Sequence, residues 1–181
     1  MANSQIVKSI KRTIKNDDRY RKLKKAFIEL PEFNLNTDEI EEELLSLHQS
    51  RPVRRLRSKL EGNKFVDEVI KALLKDQEVR SRLTEIMVGC LKTESKLEDA
   101  LVAFKHYVLV EYADQLSAIS TKAERSQIVD SCLRPFEKYL VTIANMQTKA
   151  RTIIEDIDKA AYAMKNTIEA VKLITHKSAT V

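Results

Sequence analysis

The sequence predicts an all-α fold: a helical bundle with a long C-terminal helix, over about residues 135–175, and shorter helices before it. Three observations support this prediction. The chain has only two Gly and three Pro, whereas proteins built from sheets need these residues at their many turns. Charged residues make up 33% of the chain and hydrophobic residues 43%, which is typical of a globular protein with a buried core. The third observation is the periodicity of the C-terminal segment.

The C-terminal segment carries an apolar seam. Alternate steps of four and three residues from Phe136 to Thr175 reach mostly apolar positions, and no Gly or Pro interrupts them. This alternation is typical of a coiled coil or a long bundle helix. A second stripe, which includes Tyr139, Met146 and Ile153, favours a helix packed between two neighbours. The residues expected to associate with other helices are Phe136, Leu140, Ile143, Ile154, Ile157, Met164 and Ile168.

Capping residues define the first two predicted helices. Ser4 can cap a first helix that runs to about Lys15, and Asp17 can cap the next. The second helix ends before Pro31, because proline cannot continue a helix.

The next two predicted helices differ in charge. An acidic helix starts at Asn36 or Thr37, with its carboxylates in the first turns, where the helix dipole favours them. Arg51 and Pro52 end it. A basic helix follows from Pro52 and stops at Gly62.

Capping boxes predict further helix starts in the second half of the chain. Residues 64–91 have a helical apolar pattern, with a new start available at Asp76. Pro135 is expected to be the first residue of the long C-terminal helix, or to lie inside a still longer one. The two capping-box pairs are Ser95 with Glu98 and Thr121 with Glu124.

Charge is unevenly distributed along the chain. The net charge of +5 comes entirely from the first 82 residues, because Lys/Arg and Asp/Glu are equal in number after that point. Residues 1–30 have nine Lys/Arg and three acids, residues 31–50 have six acids only, and residues 51–82 have ten Lys/Arg and five acids. This predicts a charge-segregated helical region over residues 1–62 and a helical bundle over residues 63–181.

The N-terminal cations are the candidate binding site. If residues 4–25 form one helix without a strong kink, six cations fall within about 100° of arc on one face. Cations that meet phosphates release counterions, which drives salt-sensitive nucleic-acid binding. Tyr20, between Arg19 and Arg21, could stack on an unpaired base. The predicted nucleic-acid-binding residues are Lys8, Lys11, Arg12, Lys15, Arg19, Tyr20, Lys22, Arg51, Arg54, Arg55 and Arg57.

Two alternatives to nucleic acid apply to the same cations. They could form a solvated face that Glu39, Glu41, Glu42 and Glu43 partly neutralise, or they could meet an acidic protein or a membrane surface. The acidic segment could also fold over the cations and mask them.

Enzymatic and metal chemistry are not expected. The two cysteines, Cys90 and Cys132, are far apart and match no disulfide framework or metal spacing. The three histidines form no metal-binding pair, and the two glycines exclude a glycine-rich phosphate loop. We therefore expect no catalytic residue, no metal, no cofactor and no small-molecule substrate.

The sequence also bears on location. No apolar stretch is long enough to span a bilayer, and the N-terminus lacks the apolar block of a secretory signal. We expect an intracellular protein, cytoplasmic or associated with the nucleoid or nucleus, with mitochondrial import as the alternative.

These observations predict a non-catalytic, nucleic-acid-associated helical accessory protein, of the kind found in replication, recombination or viral nucleoprotein assembly. The N-terminal cations would bind DNA or RNA phosphates, and the C-terminal helix would hold the bundle or an oligomer. The alternative is a helical adaptor or structural assembly protein, whose partner is another protein helix or a second copy of the chain.

Overall fold

The computed structural model describes residues 2–52 and 63–178, with the side chains of residues 5–52 and 66–173. Within these residues the chain is helical and contains no strand, which confirms the predicted all-α class. The helices of the described residues are α1 (Ala2–Asn16), α2 (Asp18–Glu29), α3 (Thr37–Gln49), α4 (Asn63–Glu111), α5 (Ala113–Ser117) and α6 (Lys122–Ser178).

The long C-terminal helix is present and begins earlier than residue 135. Helix α6 has 57 residues, and Pro135 lies inside it, as in the second of the two predicted alternatives. The capping box predicted before it is observed. The Thr121 amide donates to Glu124 Oε2 over 3.3 Å, and the Glu124 amide donates to Thr121 Oγ1 over 3.2 Å. These bonds satisfy amide donors that the start of a helix leaves unpaired.

Helix α4 is also longer than the sequence predicts, with 49 residues. It continues through Asp76 and Ser95, where new helix starts were expected. The buried positions of α4 explain its greater length, because they continue in alternating steps of three and four residues through Asp76 and past Ser95. Packing along such a face stabilises a helix more than a local cap does. The buried residues of this face are Val69, Ala72, Asp76, Val79, Leu83, Ile86, Cys90, Thr93 and Leu97.

The chain forms two compact units, and α4 and α6 contribute to both. Unit 1 comprises Met1–Thr37 and Gly89–Asn145, and unit 2 comprises Asp38–Val88 and Met146–Val181. The boundary predicted from charge at residue 62 falls in the stretch 53–62, outside the described residues, and stays a prediction.

The core of unit 1 is rich in aromatic rings. Phe136 of α6 meets Phe27 of α2 edge to face, with 5.1 Å between ring centroids, and meets Tyr20 at 6.2 Å. Phe27 also packs edge to face on Tyr139 at 5.0 Å. Such aromatic pairs contribute roughly 0.5–1.5 kcal/mol beyond the burial of their area. Helix α1 adds Ile10 and Ile14 to the same cluster, so α1 and α2 are both held on α4 and α6 by apolar contacts.

The core of unit 2 is aliphatic, with one buried ionic cluster. Arg51, Asp76 and Asp156 lie among aliphatic residues of α4 and α6. The buried aliphatic side chains of this unit are Leu44, Val69, Ala72, Val79, Leu83, Ile86, Met146, Ala150, Ile153 and Ile157.

The predicted association residues of α6 are covered to different degrees. Phe136, Ile143 and Ile157 are buried, and Leu140, Ile154, Met164 and Ile168 are half-buried. The polar seam residue Gln147 is also buried.

Candidate nucleic-acid interface

The six cations predicted to share one helical face, which we call the basic stripe, are divided between α1 and α2. They are Lys8, Lys11, Arg12, Lys15, Arg19 and Lys22. Asp17 ends α1 and caps α2, because its Oδ1 accepts the amide of Arg19 at 2.7 Å and that of Tyr20 at 3.4 Å. The backbone of Asp17 is extended, with φ −63° and ψ 141°, which is typical of an N-cap. The cations before and after Asp17 therefore do not follow the periodicity of one helix, which was the condition for the single face.

The Asp17 carboxylate also joins this break to α4 and to Tyr112, the residue that follows α4. Its Oδ2 accepts the hydroxyl of Tyr107 at 2.9 Å and that of Tyr112 at 2.6 Å. Burial opposes ionisation, but the bonds from Tyr112, Tyr107 and the two amides outweigh it and lower the pKa of Asp17. Burial and the bond to Asp17 raise the pKa of Tyr112. The cluster fixes the point where α1 and α2 meet.

Helix α1 presents the clearest basic surface. Its buried residues are Ile10 and Ile14, while Lys8, Arg12 and Lys15 are exposed. No Asp or Glu occurs between Ala2 and Asn16. Within the described part of the chain, the cations of α1 form no ion pair. Lys11 is half-buried.

Helix α2 holds two predicted cations in different settings. The Arg19 guanidinium lies over the ring of Tyr107, 4.0 Å from its centroid, a cation–π contact that orients the side chain. Lys22 is exposed, and among the described residues it has no ion-pair partner.

The structure does not agree with a stacking role for Tyr20. Its side chain is only 8% exposed and packs between Phe104 and Phe136. Its hydroxyl donates to the carbonyl of Cys132 over 3.3 Å. A ring held in the core cannot stack on a base. Its spacing to the apolar residues Leu23 and Phe27 was the signal that it faces inward.

Arg51 is likewise unavailable to phosphate. Its side chain is 1% exposed, its Nη2 donates to Asp76 Oδ2 over 2.9 Å, and its Nη1 donates to Asp156 Oδ2. These bonds raise the pKa of Arg51 against the opposing effect of burial, so the guanidinium stays charged within the core. The other three predicted cations of this segment, Arg54, Arg55 and Arg57, lie outside the described residues.

A groove separates α1 from the first turns of α6, and we call it the α1/α6 groove. Its volume is about 690 Å³. It contains a cation that the sequence analysis did not select, Arg134, which is exposed. The spacing of Gln127, Ser131 and Arg134, steps of four and three, could have indicated a shared face. The lining residues are Val7, Lys8, Lys11, Ile119, Glu124, Gln127, Ile128, Ser131 and Arg134.

Two acids of α3 pair with cations of their own unit. Glu43 contacts Arg82 through two bonds, of 2.6 and 3.1 Å, and Glu41 contacts Lys149. These four residues belong to unit 2, whereas the cations of α1 belong to unit 1. Two of the four glutamates expected to neutralise the basic stripe therefore have other partners.

The described residues also bear on metal binding and on membrane insertion. No group of three or more His, Cys, Asp or Glu side chains among them is placed to hold a metal ion. None of their helices combines the length and the apolar character that crossing a membrane requires.

Comparison of the chain with protein-family models, with curated protein sequences and with solved structures gave no match.

Proposed function

We propose that the chain is a non-catalytic, nucleic-acid-associated helical protein that binds phosphates through the cations of α1 and α2. The observation that carries this proposal is the surface of α1: four cations, no acid, and no ion-pair partner among the described residues. An intracellular location, cytoplasmic or with the nucleoid or nucleus, belongs to the same proposal.

The chemistry of this surface supports a polyanion as the partner. Cations without paired carboxylates can neutralise phosphates, and each neutralised phosphate releases condensed counterions from the nucleic-acid backbone with a gain in entropy. Apolar contacts of Ile10 and Ile14 hold the cations on a packed helix, so little backbone conformational entropy is lost on binding. The α3 acids Glu41 and Glu43 pair elsewhere, which supports an available surface on α1.

The test is a titration with single- and double-stranded DNA and RNA at several salt concentrations. A triple variant, Lys8→Gln, Arg12→Gln and Lys15→Gln, should lose about tenfold or more in affinity at low salt. The plot of log affinity against log salt should become less steep by about 2–3, because each lost phosphate contact removes about 0.7–0.9 from the magnitude of its negative slope. These three side chains are exposed, so the fold should be kept.

A matched control removes the same charge elsewhere in unit 1. Lys92, Lys122 and Lys138 are exposed lysines of α4 and α6, and all three can be changed to Gln. This control should retain most of the affinity. Equal losses in the two triple variants would assign binding to net charge alone, and no binding by the unaltered protein at low salt would overturn the proposal.

A second candidate is a helical adaptor that binds another helix or a second copy. One observation favours it: Val102, Leu109 and Val110 of α4 are exposed apolar side chains on one helical face. Sedimentation of the unaltered protein and of a Val102→Lys variant would test this candidate. If the chain is such an adaptor, the unaltered protein should sediment as an assembly, and the lysine charge of the variant should dissociate that assembly.

A further inference from the structure

We infer that the α1/α6 groove accepts a nucleotide of a single strand, with its phosphate at Lys8, Lys11 and Arg134. This inference rests on the proposed function and makes it more specific, because it names the kind of nucleic acid and the place where it binds.

The size of the groove favours a single nucleotide over a duplex. Its volume of about 690 Å³ lies within the range of roughly 300–1,000 Å³ found for small-molecule sites. A base with its sugar and phosphate is a ligand of that class. A duplex keeps its bases paired and stacked, so none is free to enter the groove, and the duplex would lie across the opening.

The lining residues suit the two parts of a nucleotide. Val7 of α1, together with Ile119 and Ile128, provides aliphatic surface, which can cover a base. Lys8 and Lys11 provide charge for the phosphate. No aromatic side chain lines this groove, so stacking on a ring does not contribute and most of the affinity would be electrostatic.

Arg134 places a cation on the α6 side of the groove, opposite the lysines of α1. Within the described residues it has no ion-pair partner. Its guanidinium can donate two parallel hydrogen bonds to a phosphate, which a lysine cannot do. The acid that also lines the groove, Glu124, accepts the amide of Thr121 in the α6 cap. The groove therefore has three cations and one carboxylate that is already hydrogen-bonded.

A fluorescent side chain can report occupancy of the groove directly. The protein has no Trp, so the Gln127→Trp variant gives emission from this groove alone. Gln127 is exposed, so the larger ring can be accommodated. Titration with a short oligothymidylate should quench that emission over the same concentrations as binding. The control is Val141→Trp, an exposed position of α6 that does not line the groove, whose emission should not change.

Charge variants give a second, independent measurement. Arg134→Gln should lower the affinity for oligothymidylate about fivefold to tenfold, and Arg134→Lys should restore part of it, since the charge returns without the planar fork. Lys138→Gln, the same charge change one turn further along α6, should lower it less than about twofold. Thermal unfolding would show that each variant keeps its fold.

The outcomes separate this inference from the proposal on which it rests. If the unaltered protein binds oligothymidylate, but Gln127→Trp emission is unchanged and Arg134→Gln matches Lys138→Gln, the groove is not the site and nucleic-acid binding stands. The same conclusion follows if a duplex binds more tightly than the single strand without quenching. If no nucleic acid binds at low salt, both fail.

Discussion

Units 1 and 2 are stabilised by different chemistry, although α4 and α6 supply helices to both. Unit 1 contains eight of the ten Phe and Tyr residues of the chain, and many of these rings are in mutual contact. Unit 2 has an aliphatic core into which one arginine is inserted between two aspartates. The ring contacts of unit 1 are distributed over many side chains, whereas both ion pairs of the buried cluster in unit 2 involve Arg51.

The difference has a physical cause. Large rings bury much area and meet one another at several edges, so the loss of one contact leaves others in place. The attraction within a buried ion pair offsets a large cost of desolvation, so the removal of one partner leaves an uncompensated buried charge. The two units should therefore respond differently to single substitutions.

The largest effect is expected for Arg51→Met, which leaves Asp76 buried at 1% exposure without its partner. Breaking a buried pair in this way costs about 3–5 kcal/mol. Unfolding in urea would give the total loss. Hydrogen exchange should locate it, with faster exchange in the unit 2 part of α4 and little change in unit 1.

A double variant tests the cause of that loss. Arg51→Met combined with Asp76→Leu removes both buried charges, and Asp156 can be hydrated because it is 47% exposed. We expect the double variant to be more stable than Arg51→Met alone. If both variants lost the same free energy, packing of the arginine stem rather than an uncompensated charge would be responsible.

An intermediate effect is expected for Asp17→Ala in unit 1. The change removes the cap of α2 and leaves the hydroxyls of Tyr107 and Tyr112 without their acceptor. Both rings are half-buried, so water can replace part of the interaction, and we expect a loss of about 1–3 kcal/mol. Urea unfolding followed by tyrosine fluorescence would measure it.

The pH dependence gives a check on the same group. Because the folded state lowers the pKa of Asp17, its contribution is present above the unfolded pKa of about 3.9 and is lost as the pH falls through the folded pKa. Below about pH 4, the unaltered protein should therefore lose stability more steeply than Asp17→Asn. Parallel curves for the two proteins would contradict this assignment.

The smallest effect is expected for Arg82→Gln in unit 2. Its 2.6 Å bond to Glu43 involves the same kinds of group as the Arg51 cluster, but Arg82 is 50% exposed. Exposed pairs contribute about 0.2–1 kcal/mol. Urea unfolding of Arg82→Gln beside Arg51→Met would therefore compare exposed and buried pairs of like chemistry. A loss from Arg82→Gln comparable to that from Arg51→Met would remove the distinction.

Local signals in the sequence were sufficient for much of the fold. The cap at Asp17 and the capping box at Thr121 are both observed, because each depends on residues close in the chain. The capping box at Ser95 is not used, because the buried face of α4 continues through it. Helix length depends on packing partners distant in sequence, which local patterns do not contain.

The candidate site was less accessible from sequence. Charged neighbours made Tyr20 resemble an exposed stacking residue, although the core holds it. Nothing in the sequence around Arg51 indicates that its side chain is buried. The sequence around its partner does indicate burial, because Asp76 occupies one position of an otherwise mostly apolar alternation between Val69 and Leu83. A charged residue at such a position requires a buried counterion, but the sequence does not identify which cation supplies it.

The order of segments in unit 1 also affects how this unit folds during its synthesis. The hydrogen bond from Tyr20 to Cys132 joins residues 112 positions apart. A ribosome that adds about 5–20 residues per second takes roughly 6–22 s to proceed from Tyr20 to Cys132. During that interval the inner faces of Leu23 and Phe27 lack the α6 surface on which they finally rest, and nascent chains can associate through them. The yield of folded protein should therefore depend on translation speed as well as on final stability.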